Sequence, residues 1–161
     1  MKYDIKIDKD GSKRYYVNKV LHRENGPAVE YPAIKYSVGT KQWYINGKLH
    51  RENGAAIEFA NGEKEWYKNG KLHREDGPAC EYANGAKIWY KNGELHREAG
   101  PAIEHSNGEK YWYKNGLYHR EDGPAVEYAD GTVTSGEGAP ARVKDLLRKL
   151  WLVEDTRPTL S

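Results

Sequence analysis

The stretch PACEYANGAKIWYKNGELHRE, residues 78–98, decides the fold. Two Asn-Gly pairs, Asn84-Gly85 and Asn92-Gly93, divide it into three short runs. Asn-Gly favours tight hairpin turns, because both residues tolerate positive φ at little steric cost. The runs are too short for helices and carry no apolar spacing of three or four. Each run therefore reads as a strand, and the whole as a β-hairpin or small meander closed by a further turn at Glu98-Ala99-Gly100-Pro101.

The phrase recurs. Trp43, Trp66, Trp89 and Trp112 stand 23 residues apart, and so do His50, His73, His96 and His119. An earlier, degenerate copy runs from Tyr15, with Lys19 in place of the turn glycine and a link through PAIKYSV that is five residues longer. Before it, Tyr3, Ile5 and Ile7 alternate with charged residues up to an Asp10-Gly11 turn, which makes a half-unit. A hairpin cannot bury its apolar face alone, but stacked copies can. The expected architecture is mainly β: an elongated, single-layer antiparallel sheet of tandem 23-residue hairpin repeats over residues 1–133.

If both Asn-Gly pairs close two-residue turns, Cys80 lies opposite Trp89 and Tyr82 opposite Lys87, with His96 across from Trp89 on the same face. That face would carry Val29, Ile57, Cys80, Ile103 and Val126 beside the tryptophans, and the other would carry Glu81 and Arg97. A three-residue turn would flip the third run, because side chains alternate along a strand.

The W-x-x-N-G-x-x-H order and the 23-residue period resemble MORN-type repeats, in the YwqK-like bacterial and phage variant whose copies read LHRE(D/N)GPA. The resemblance covers the repeats and not the last thirty residues. It implies hairpin arrays that bind proteins or act as scaffolds, and, by analogy alone, an inhibitor, an antitoxin-like factor or a phage counter-defence protein that blocks a host protein. Arg-Glu-x-Gly-Pro replaces the shorter turn usual in that family, so lipid contact is not carried over.

After the repeats, residues 134–140 read as a linker rich in Gly and small polar residues. Val143, Leu146, Leu147, Leu150 and Trp151 then fall at helical spacing, which predicts one C-terminal amphipathic helix over residues 141–153 and a tail at 154–161. Such a helix needs a surface to pack on. Leu147 and Trp151 are its candidate contact residues, either for the aromatic stripe or for a partner.

Composition narrows the function. The chain has 26 basic and 24 acidic residues, a formal net charge of +2, thirteen Tyr, five Trp and one Cys. Near-neutral charge gives no general drive toward nucleic acid or an anionic membrane. The opening MKYDIKIDKDG has no long apolar run, so neither a signal nor membrane insertion is expected, and the location expected is cytoplasmic. Equivalent histidines, two strands apart, sit roughly 10 Å from each other. Metal ligands must converge to about 2 Å of an ion, and catalytic partners to about 3 Å of one another. No enzyme, metal or cofactor is therefore expected.

The candidates for contact with a partner are the repeated charges: Arg23, Arg51, Arg74, Arg97 and Arg120, with Glu58, Glu81 and Glu104. The expected function is a non-catalytic protein-interaction module whose partner is a protein of unknown identity. The alternative is a ligand-binding repeat protein using a Trp/His face for carbohydrate, nucleotide or single-stranded nucleic acid.

Overall fold

The computed structural model describes residues 2–30 and 39–135. The predicted helix at 141–153, with Leu147 and Trp151, and the PAIKYSV link lie outside the described residues. Within them the architecture is that expected: a long antiparallel sheet of 13 strands, with four further two-stranded hairpins at its side. The first strands are β1 (Asp4–Ile7), β2 (Lys13–Val17), β3 (Val20–Leu21) and β4 (Val29–Glu30). From there each repeat adds two strands to the long sheet, such as Cys80–Glu81 and Lys87–Ile88, and one side hairpin, such as Tyr90–Lys91 with Glu94–Leu95.

The same dipeptide builds two different turns. At Asn92-Gly93 both residues are left-handed, with φ of 55° and 89°, so this is the tight two-residue hairpin turn. At Asn84-Gly85 only the glycine is left-handed, at 87°. There Tyr82 N–H donates to Ala86 O at 3.0 Å and Gly85 N–H to Tyr82 O at 2.9 Å, which closes a three-residue loop. The Asn84 side-chain oxygen accepts from Ala86 N–H at 2.9 Å, a role Asp10 and Asp130 fill in the equivalent turns. That is why Asp replaces Asn freely in the first turn. The second keeps Asn, which tolerates the left-handed region.

This overturns the expected facing. With one extra loop residue, Cys80 pairs with Ile88 and Glu81 with Lys87. Trp89 therefore sits on the Glu81 and Lys87 face, opposite the aliphatic row. The aliphatic face is a row in register: Val29, Gln42, Ile57, Glu65, Cys80, Ile88, Ile103, Tyr111, Val126. Ile88, Ile103 and Val126 are at most 1% exposed. Leu95 and Tyr113 of the side hairpins complete this cluster, and Tyr82, Tyr90, Tyr118 and Tyr128 pack against it. Glu65 is a buried carboxylate in the row and accepts a hydrogen bond from the Tyr67 hydroxyl at 3.0 Å.

Neighbouring repeats are also tied through the side hairpins. Gly93 N–H donates to Leu72 O at 2.8 Å, and Gly116 N–H to Leu95 O at 2.9 Å. In the degenerate copy Lys19 must adopt φ of 64° where its counterparts have glycine. A left-handed non-glycine residue costs about 1–2 kcal/mol, partly offset by the chain entropy that glycine loses on folding. Lys19→Gly should raise stability by roughly 0.5–1 kcal/mol, seen as a higher urea midpoint with an unchanged slope.

Candidate interaction face

The first turn sets the register, and the register sets the face. Row by row across ten strands, the residues beside the aliphatic row are Lys13, Glu30, Lys41, Glu58, Lys64, Glu81, Lys87, Glu104, Lys110 and Glu127. Basic and acidic residues alternate without a break. Opposite charges on adjacent strands each contribute a few tenths to about 1 kcal/mol and resist slippage.

On the same face each tryptophan carries an arginine. The Arg97 guanidinium lies 3.8 Å from the Trp89 ring centre, and Arg51, Arg74 and Arg120 lie 3.8, 4.0 and 3.9 Å from Trp43, Trp66 and Trp112. In the first copy Arg23 stacks on Tyr15 at 3.9 Å. Arg97 Nη1 also donates to Glu104 Oε1 at 2.6 Å and to Pro101 O at 3.0 Å. The other copies repeat these bonds, Arg74 to Glu81 at 2.9 Å and Arg51 to Glu58 at 2.6 Å among them. The structure thus brings the predicted Arg and Glu residues together as pairs.

The Arg-Glu-x-Gly-Pro-Ala phrase now has a physical reading. The chain bends back over its own arginine, and a Cβ on Gly77 would stand 2.9 Å from the Arg74 guanidinium carbon. The following alanine is fully buried at positions 28, 56, 79 and 102. Its carbonyl accepts from the aromatic residue of the adjoining strand, as Ala79 O does from Trp66 N–H at 2.8 Å. Wide tryptophans and narrow alanines alternate along that row, which leaves room for each arginine over its ring.

The histidines are staples between repeats. His50 Nδ1 accepts from Asn69 N–H at 3.1 Å, His73 Nδ1 from Asn92 N–H at 3.1 Å and His96 Nδ1 from Asn115 N–H at 3.2 Å. Where Nδ1 accepts this bond, the neutral ring carries its proton on Nε2. That nitrogen faces the glutamate two residues on: Glu52 at 2.8 Å from His50 and Glu98 at 2.9 Å from His96. These bonds hold the Glu52 and Glu98 carboxyls below the usual range, with Lys114 adding to the effect at Glu98. The Arg74 guanidinium does the same to Asp76, and Arg120 to Asp122. Among the described residues no three His, Cys, Asp or Glu side chains are grouped to hold a metal ion.

An open groove of about 570 Å³ runs between two successive loops, lined by Arg51 and Glu52 on one side and by Arg74, Glu75 and Asp76 on the other, with Trp66 and His73 between. The lysines that complete the face were missed as candidates in the sequence. Their signal was present: Lys41, Lys64, Lys87 and Lys110 each stand two residues before a tryptophan, at the repeat period.

No family model matches this chain, and no curated protein is significantly similar to it.

Proposed function

We propose that the chain is a non-catalytic protein-interaction module and that the Lys/Glu/Arg–Trp face is its binding surface. The observation that carries this reading is the unbroken alternation of charge across ten strands, each arginine fixed on an aromatic ring before any partner arrives. A pre-ordered face loses little side-chain entropy on binding. Its mixed charges suit a partner with a complementary pattern, more than a uniformly anionic polymer. The MORN-type resemblance agrees, and blocking a host protein by occupying its surface is the form of action it favours. A carbohydrate or nucleotide would need tryptophan faces for stacking, and one face of each is already taken by arginine.

The test is affinity capture from the natural host cell with the intact chain and with Lys64→Glu/Lys87→Glu. Both lysines are exposed, but the new carboxylates oppose Glu58, Glu81 and Glu104, so circular dichroism and a urea midpoint check that the variant keeps its fold. A protein captured in equal amount by the native chain, and lost with the variant and with rising salt, is the expected result. A native chain that carries a sugar, nucleotide or nucleic acid and no protein would overturn the proposal.

A further inference from the structure

Among the described residues the long sheet ends on β1 at one edge and on Val133–Thr134 at the other, and all four residues of β1 are exposed. Ile5 is 58% and Ile7 63% exposed, both on the Trp–Arg face opposite Tyr15 and Lys13. Edge strands are ordinarily blunted by charged side chains, proline, bulges or extreme shortness, and β1 carries only the self-complementary charges Asp4 and Lys6. β1 has no proline, and it pairs with β2 in unbroken register from Asp4↔Tyr16 to Ile7↔Lys13.

The backbone of this strand is set to accept another. Tyr15 N–H donates to Ala28 O at 2.9 Å and Tyr15 O accepts from His22 N–H at 3.1 Å, both away from β1. Ile5, opposite Tyr15, is therefore a non-hydrogen-bonded partner, and its N–H and C=O point to the open edge. By alternation those of Tyr3 and Ile7 do the same, while Asp8 N–H turns inward to Ser12 O at 3.0 Å.

We propose that β1 is the docking edge for a second copy of this chain. Two β1 strands pair antiparallel about a two-fold axis at Ile5 and join two arrays into one sheet. The sequence Lys2-Tyr3-Asp4-Ile5-Lys6-Ile7-Asp8 is complementary to its own reverse. Centred on Ile5, the pairing sets Asp4 against the partner's Lys6, Lys2 against the partner's Asp8, Ile5 against itself and Tyr3 against the partner's Ile7. Every facing pair is then opposite in charge or apolar on both sides. Centring on Lys6 opposes the two lysines and sets Asp4 against the partner's Asp8. Centring on Asp4 opposes the two aspartates and sets Lys2 against the partner's Lys6. Centring on Tyr3 or Ile7 also opposes unlike charges but engages only one end of the strand, so the Ile5 register pairs the most residues, and an axis normal to the sheet keeps the charged face continuous across the junction.

The inference is independent of the proposed partner on that face. Its test is sedimentation equilibrium of the full chain over a concentration series, alongside Asp4→Lys, Lys6→Asp and the double exchange Asp4→Lys/Lys6→Asp. Lys6→Asp places a carboxylate opposite Arg14 on β2, so the fold is kept, and circular dichroism checks it. The native chain should reach twice the chain mass. Each single reversal should weaken association at least about ten-fold, because two attractive pairs become repulsive. The double exchange restores attraction in the same register and should recover most of the loss. A native chain that stays monomeric would overturn the proposal. So would single variants that associate like the native chain, or a double exchange that recovers nothing.

Discussion

Arg97→Ala lowers the stability of the array by about 2–3 kcal/mol, measured by urea unfolding followed through tryptophan fluorescence. Four losses coincide. The cation leaves the Trp89 ring, where a partly desolvated contact contributes about 0.5–2 kcal/mol. The Pro101 carbonyl loses its donor. Glu104, whose side chain is 36% exposed, loses its charge-assisted bond, and water screens part of that loss. The loop over Gly100 also loses the plate it folds against. Arg97→Lys should recover little, because an ammonium cannot lie flat on the ring while bonding a carbonyl and a carboxylate in the same plane. Lys87→Ala is the control: exposed and flanked by Glu81 and Glu104, it gives up two solvent-screened pairs and should cost no more than about 1 kcal/mol. Equal effects at Arg97 and Lys87 would show that the stacked arginine is decoration.

The period, the hairpin turns and the antiparallel sheet were legible in the residues, from Asn-Gly spacing and from the absence of helical apolar periodicity. The pairing of Arg97 with Glu104 was legible only as a repeated charge pattern. What the sequence hid was which turn each Asn-Gly pair adopts. Asn84-Gly85 and Asn92-Gly93 are the same dipeptide, yet one closes three residues and the other two. The choice rests on where Tyr82 and Ala86 meet, a pairing between strands that no local propensity reveals. That single residue of loop moved Trp89 from the aliphatic row to the charged face. Buried Glu65 was hidden for a related reason: its neighbour Lys64 reads as exposed, and nothing local marks the Tyr67 hydroxyl as its donor.

Excising residues 65–87, one full period, should leave a folded and shorter array that still unfolds in one cooperative step. Lys64 is then followed by Ile88, so Glu58 keeps its lysine, Ile57 meets an isoleucine and Ala56 meets a tryptophan. The next repeat supplies an equivalent for every side chain removed at the joint, and the cost is one interface. The denaturant slope should fall in proportion to the surface removed. Excising residues 64–87 removes one residue more, and the outcome should reverse. The Gly62 turn still fixes the hairpin from Phe59 to Glu63, so Ile88 now faces Glu58 on the charged side and Trp89 enters the aliphatic row. Every strand downstream inherits the inversion or breaks from the sheet. Each core side chain turned out to water forfeits about 1.5–3 kcal/mol, and Ile88, Ile103, Tyr111 and Val126 together approach the roughly 5–15 kcal/mol that hold an ordinary domain. The 64–87 deletion should therefore show red-shifted tryptophan emission and a broad, low-urea transition, while the 65–87 deletion keeps the native spectrum. Similar stability in the two would mean that register is carried by something other than the alternation of faces.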